Sequence, residues 1–512
     1  MPTLTQTKEE TMNTSLERLK KRLAQVSDLE TAAAVLGWDQ HVNMPPGGSE
    51  ARAHHLATVE TLAHSLFTAD ETGQLLERAA AETTDLPYDS DDASLIRVAQ
   101  REYEKLRRVP ESLVTERSRT SALALDAWVQ ARAESNFAHF KPHLERIIDL
   151  AIQYAEALGY EDCLYDALLD RYEPEMKTAQ VTAVFEQVKV GLVPLVQAIT
   201  ERGKPVDDAV FNQEYPDQIQ WNFGTLVLQN MGFDFTYGRQ DRSVHPFTTS
   251  FSPHDVRLTT RILPDHFQTG LFGTIHEGGH ALYNQGMRIE IGRTPLFDGA
   301  SYGVHESQSR LWENIIARSR SFWDHYFPKL RDFFPQQLAW VDLDTFYRAI
   351  NKVEPSLIRV EADEVTYNLH IFLRFELEQE LLERRLTVAE LPRAWNAKME
   401  KYLGITPSND ALGVLQDVHW SEGYFGYFPT YALGNLLSVQ FYTRMLQDIP
   451  DLPEHIAKGK LETIREWMRD HIHTHGKKFT PVELVQRVTG EDLSAAPFLS
   501  YLQKKYTEIY EL

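Results

Sequence analysis

The sequence predicts a mainly α fold in one large helical domain, with a small β-sheet just ahead of its most conspicuous motif. Three observations carry that expectation. Apolar residues recur at helical spacing along most of the chain, and only one short stretch alternates with the period of a strand. No Pro-, Gly- or Ser-rich linker divides the 512 residues, whose 42% hydrophobic content is enough for a large core. The whole span 1–512 is therefore expected to be a single domain.

The first helix is expected at Thr14 and Glu17, which have capping-box spacing and are followed by Leu16, Leu19, Leu23 and Val26. Pro45-Pro46-Gly47-Gly48 marks a loop. Helical periodicity resumes over about 50–80, 91–108 and 111–157, with Pro110 and Pro142 as punctuation. Asp89-Ser90-Asp91-Asp92 reads as a helix entry, since it lacks the glycine and the ligand spacing of a calcium loop. Between about 233 and 265 the period changes. In Asp255–Ile262, Val256, Leu258 and Ile262 take one face of a strand while Asp255, Arg257 and Thr259 take the other. A helix is then expected from Val304 to Arg318. Another is expected from Pro355 to about Arg384, with Arg359, Asp363 and His370 on its polar face. The Gly-, Tyr- and Phe-rich residues 413–434 read as a loop before a further helix, and amphipathic helix returns from Leu452.

A formal net charge of -22 argues against non-specific nucleic-acid binding, which needs a basic surface. Cys163 is the only cysteine, so neither an intrachain disulfide nor a thiolate-rich metal site can form. That usage fits a reducing, cytoplasmic compartment. Met1–Glu10 is polar and acidic, unlike a signal peptide, and no apolar run is expected to reach the length of a membrane span.

The chemistry centres on Thr274–Tyr283, which contains His276-Glu277-Gly278-Gly279-His280. On a helix, residues four apart share a face, so His276 and His280 can point two imidazoles at one metal ion, and Glu277 can take a proton from the attacking water. Satisfied core histidines are the bland reading. Against it stand Gly278 and Gly279, which each cost a helix about 1 kcal/mol relative to Ala unless another backbone or a substrate must come close. A catalytic zinc needs a third protein ligand. A metzincin would have glycine at 283 and histidine at 286, but the chain has Tyr283 and Gly286. A downstream carboxylate remains, from Glu290, Asp298, Glu306 or Glu313, with Glu306 best placed on a new helix after a reversing loop.

Six separate motifs then occur in one order: His245-Pro246-Phe247, Asp255-Val256-Arg257-Leu258-Thr259, His276–His280, His305-Glu306-Ser307-Gln308, Ile358–Asp363 and Gly413–Trp420. With Trp38-Asp39 and Met44-Pro45 ahead of them, the chain resembles the carboxypeptidase Taq-type family of metallocarboxypeptidases over essentially its whole length. The resemblance implies a helical fold with a deep active-site groove, a homodimer, and one divalent metal per chain, zinc first with cobalt and manganese as alternatives. It also implies Glu306 as the third ligand and peptides with a free C-terminus as substrates, with broad specificity for the residue removed.

Under that resemblance Arg257 and Arg359 are candidates to anchor the substrate carboxylate, as a guanidinium does with two parallel hydrogen bonds. Their structural alternative is an ion pair, with Asp363 the obvious partner of Arg359. His419 is the candidate oxyanion donor, oriented by Asp417 or Gln416, with help from among Tyr424, Tyr427 and Tyr431. His245 is a groove residue or a strut. His471, His473 and His475 precede Gly476 near a helix end, where an imidazolium is favoured, and their spacing of two points to a structural or solvated role rather than a second metal site. The competing functional readings are an endopeptidase or peptidyl-dipeptidase on a similar scaffold, and an inactive peptide-binding module.

Overall fold

A computed structural model describes residues 14–512, so the Met1–Glu10 stretch lies outside the described residues. Among them are twenty α-helices and one three-stranded sheet. The first helix, Ser15–Val42, starts where Thr14 Oγ1 accepts a hydrogen bond from the Glu17 amide at 3.2 Å. Ser90 likewise caps the helix Asp91–Arg108, so the acidic run is a helix entry.

Two expected helical stretches are each two helices. The first breaks at Ala69, between Ser49–Thr68 and Asp70–Glu82. The second breaks at Ser135, which is left-handed with φ 51°, between Glu111–Glu134 and Phe137–Leu158. Pro142 lies inside the latter helix, where it forgoes one backbone bond.

The sheet pairs β1 (Gly238–Arg242) parallel to β3 (Asp255–Thr260), with β2 (Thr248–Ser252) antiparallel on the other side of β3. Val256 and Leu258 are fully buried as the alternation requires. Thr259, on the opposite face, is buried too, because its hydroxyl bonds Ser243 Oγ at 2.7 Å and the Phe247 amide at 3.0 Å.

The long helix expected from Pro355 starts only at Tyr367 and ends at Leu382. Before it the chain makes one 3-10 turn, Arg359–Glu361. Asp363 accepts from the amides of Val365 and Thr366 and from the Thr366 hydroxyl, ending the turn with the side-chain cap that a continuous helix would not need. One helix, Thr178–Arg202, is long and apolar enough to cross a membrane by length and composition, contrary to expectation. Its Val181, Phe185, Val188 and Leu192 are buried in the core.

The apolar interior forms two clusters. One contains the helix Phe267–Gly286, the sheet and the N-terminal helices, the other contains Tyr367–Leu382, and the helix Pro429–Asp448 contributes to both. Tyr442 and Leu493 pack against both. The functional residues described next come from both clusters.

Candidate metal centre

His276 and His280 lie one turn apart on the helix Phe267–Gly286, with ring centroids 4.9 Å apart. The helix Tyr302–Arg310 brings Glu306 against them. Gly279 permits that approach: a Cβ there would lie 2.6 Å from the Ser309 Cα and 2.8 Å from the Gln308 carbonyl oxygen. The cost of a helical glycine thus serves close backbone packing. Gly434, on the helix Pro429–Asp448, plays the same part on the other side of Glu306, where a Cβ would lie 2.5 Å from its Cγ.

Glu306 Oε2 is 3.5 Å from His276 Nε2 and 3.4 Å from His280 Nε2. Ligands about 2.0–2.1 Å from a tetrahedral ion stand roughly 3.4 Å apart, so the three donor atoms fit one divalent metal. The other ring nitrogens are also committed. His276 Nδ1 donates to Glu313 Oε2 at 2.9 Å, which frees Nε2. His280 Nδ1 meets His305 Nδ1 at 2.6 Å, and His305 Nε2 meets Asn284 Oδ1 at 3.2 Å. Burial, then His280, pushes His305 down to about 3, so its ring is neutral. With Nε2–H donated to Asn284, His305 Nδ1 accepts from His280 and leaves His280 Nε2 free.

Arg310 joins the two carboxylates, donating to Glu306 Oε1 at 2.7 Å and to Glu313 Oε2 at 3.1 Å. Burial would raise Glu313, but Arg310 and then His276 bring it to about 2. Glu306 is likewise held well below the carboxylate range, chiefly by Arg310 against burial. Burial would lower His276, yet Glu306 and Glu313 raise it, so the two carboxylates draw positive charge toward this ring. Glu277 is buried, and Thr248 of β2 donates to its Oε2 at 2.7 Å while also lying 3.0 Å from its carbonyl oxygen.

Across the site stand His419, Tyr427 and Tyr431. His419 Nε2 is 3.2 Å from the Tyr431 hydroxyl, and its Nδ1 is buried without a partner among the described residues. Burial lowers His419 to about 3, leaving a neutral ring, and pushes the Tyr427 and Tyr431 phenols up.

The family model of carboxypeptidase Taq (M32) metallopeptidases matches residues 18–506. This chain belongs to that family. It is 43% identical over 494 residues to thermostable carboxypeptidase 1 of Thermus thermophilus, covering 94% of this chain and 96% of that one. It is 39% identical over 490 residues to carboxypeptidase 1 of Bacillus subtilis, covering 96% and 97%. The crystal structure of an M32 carboxypeptidase from Deinococcus radiodurans superposes with a TM-score of 0.94 at 40% identity, over 97% of this chain and 100% of that one. The protein is thus a metal-dependent peptide hydrolase, a metallocarboxypeptidase acting on peptides.

Other residues singled out in this M32 sequence fall in different places. Arg359 is buried and pairs with Asp417, not Asp363: Nε and Nη2 lie 3.0 and 2.9 Å from Asp417 Oδ1, and Nη1 donates to the Tyr367 hydroxyl at 2.9 Å. Its guanidinium is 5.0 Å from the Tyr431 ring centroid. Asp417 and Gln416 do not orient His419. Asp417 is drawn to Arg359 and Arg374, and Gln416 Oε1 accepts from the Arg359 amide and from Arg374. Arg257 grips Asp255 through two 2.9 Å bonds and stacks 4.3 Å from the Trp38 ring. It pairs across the sheet with Thr249, whereas Thr248 pairs with Leu258 and reaches Glu277, so Arg257 and Glu277 lie on opposite faces. His245 is exposed, and Tyr424, 42% exposed, stands 6.1 Å from Tyr427 at the edge of the tyrosine group.

His473 is a strut, bonded to Gln308 Oε1 at 3.0 Å and packed on Tyr283. Burial lowers His473 to about 3 and His475 to about 4, so neither is the imidazolium that the helix end suggested.

Sequence reasoning missed Thr248 and Arg310 and weighed Glu313 only as a ligand. Arg310 and Glu313 fall four and seven residues after Glu306, the spacing of one helix face, and that was the available signal. A π-helical segment, Leu311–Ile316, carries Glu313 and departs from that spacing.

Proposed function

We propose that this metallocarboxypeptidase removes the C-terminal residue of peptides with broad specificity, using Glu277 as general base. The observation that carries the reading is the Glu277 carboxylate, buried beside His276 and His280 and held by Thr248 at 2.7 Å. When bound, the metal supplies Lewis acidity to the attacking water and to the scissile carbonyl. Glu277 then takes the water proton and returns it to the leaving amine. Thr248 aims the carboxylate by occupying one oxygen and leaving the other for the proton.

Two imidazoles and a carboxylate suit zinc, with cobalt and manganese as alternatives. His419 and Tyr431, both neutral, donate to the developing oxyanion as preorganised dipoles. Arg359, beside Tyr431, is better placed than Arg257 to receive the substrate carboxylate. A wall of tyrosines discriminates weakly among side chains, which supports broad specificity. The family resemblance supports a homodimer with a groove that holds the peptide, and the single cysteine supports a cytoplasmic setting.

Mass spectrometry of a peptide digest is the test. Stepwise loss of single C-terminal residues is expected, abolished in metal-free enzyme and in Glu277→Gln. Internal cuts or release of dipeptides would overturn the exopeptidase reading.

A further inference from the structure

Among the described residues, Arg117 and Arg171 form a partly buried cationic pair with no carboxylate partner. Both lie against one ring, with the Cζ atoms 3.7 and 5.0 Å from the Tyr154 centroid. Nη1 of Arg171 is buried without a hydrogen-bond partner. Of the nearby carboxylates, Asp170 pairs with Lys105, Glu175 with Arg101 and Glu116 with Arg146, while Glu422, which shares Tyr424 as a neighbour with Arg171, forms no ion pair with either guanidinium. Burial, then the charge of Arg171, lowers the Arg117 pKa, as expected for like charges short of a counter-ion. Elsewhere in this acidic chain the buried cations Arg310, Arg359, Arg374 and Lys505 all have carboxylates. Unlike these four, the pair has no carboxylate within ion-pairing distance among the described residues, an arrangement that calls for an external anion.

Its position indicates which anion. Arg171 Cζ is 5.2 Å from the Tyr172 ring, and that ring is 5.1 Å from Tyr427. Tyr427 in turn adjoins His419 and Tyr431, at 5.5 and 5.3 Å. Tyr302 and Tyr424, both about half exposed, flank the same row. Two aromatic layers therefore lie between the guanidiniums and the reacting centre, the length of about three or four residues of extended peptide. A carboxypeptidase substrate has one residue beyond the bond cut, so a group this far away belongs to the upstream part of the chain.

We propose that Arg117 and Arg171 form an anion subsite that receives an acidic side chain of the peptide, several residues upstream of the scissile bond. The inference rests on the reading above that the scissile carbonyl sits at His276, His280 and Glu306. Guanidiniums hold such a carboxylate through paired charge-assisted hydrogen bonds, and the tyrosine rings beneath them keep both cations in place.

The test uses neutral hexapeptides in which one upstream residue at a time is Glu or Gln, cleaved by the metal-loaded wild type, Arg117→Gln, Arg171→Gln and Arg171→Lys. The wild type should prefer Glu over Gln at one upstream position by about tenfold in kcat/KM, the effect of a partly exposed charge-assisted hydrogen bond. Arg171→Gln should erase that preference while leaving the all-neutral peptide within about twofold, and Arg171→Lys should restore part of it. No Glu preference at any upstream position, or one that survives both Gln variants, would overturn the subsite. So would a loss that follows the free against the amidated C-terminus, because the pair would then hold the terminal carboxylate. If the wild type fails to shorten the neutral peptide, the proposed function fails by itself. Calorimetric titration of the Glu and Gln peptides into Glu277→Gln enzyme, with and without Arg171→Gln, then decides the subsite separately.

Discussion

On one side of the site Arg310 bridges Glu306 and Glu313 and holds both carboxylates in the charged form, while on the other His419, Tyr427 and Tyr431 are kept neutral by burial. Both sides are desolvated, so the contrast comes from partners. Arg310 supplies a positive charge to two carboxylates, which prefer ionisation despite burial. His419 has a phenol for a neighbour, and burial outweighs Asp417, which favours its protonation, while Arg359 and Arg374 oppose it. The charged side is suited to holding a cation. The neutral side offers hydrogen bonds that do not compete with the metal for the substrate oxygen.

The contrast is broken most severely at Glu306. Glu306→Gln should release the metal and abolish activity, read together by elemental analysis and peptide cleavage. Glu277→Gln should retain the metal while lowering kcat by about 10³-fold, the scale of a lost general base. On the neutral side, Tyr431→Phe should lower kcat by about 10²-fold with metal content unchanged, as for a lost oxyanion donor. An equal loss of metal would show that the two sides are not separable. Glu313→Gln should weaken metal affinity by about 10–100-fold without removing a ligand, measured by competition with a chelator.

A last variant tests burial without an ion pair. Glu173 is fully buried where the Gly303 amide donates to it at 2.5 Å, ahead of Glu306, and burial raises its pKa from 4.5 to about 8. The folded state therefore holds this proton more tightly than the unfolded chain. The associated stability is complete below pH 4.5 and is lost as the pH rises toward about 8. Thermal unfolding followed across that window should show a flatter pH dependence in Glu173→Gln than in the wild type.

These contrasts differ in how far the sequence discloses them. His276, Glu277 and His280 are legible because ligand spacing on one helix is a local property, set by 3.6 residues per turn. The helix starts at Thr14 and Ser90 are legible for the same reason, since a cap acts within three residues. The strand Asp255–Thr260 is legible from its alternation, and family motifs single out Glu306 before any geometry is known. Arg359 shows where local reasoning stops. Asp363 lies one helical turn away in sequence, yet the chain there turns instead of continuing as helix, and Asp417, 58 residues on, takes the guanidinium.

By itself, then, the sequence determined a mainly helical fold and the helix that sets His276 and His280 on one face. Only the tertiary structure decided which groups keep charge and which lose it, that Thr248 holds Glu277, and that Arg310 bridges Glu306 and Glu313. It also decided that Arg117 and Arg171 share Tyr154 without a counter-ion among the described residues. The physical reason is that protonation and ion pairing depend on desolvation and on charges a few ångströms away, and those neighbours are brought together by packing between distant segments.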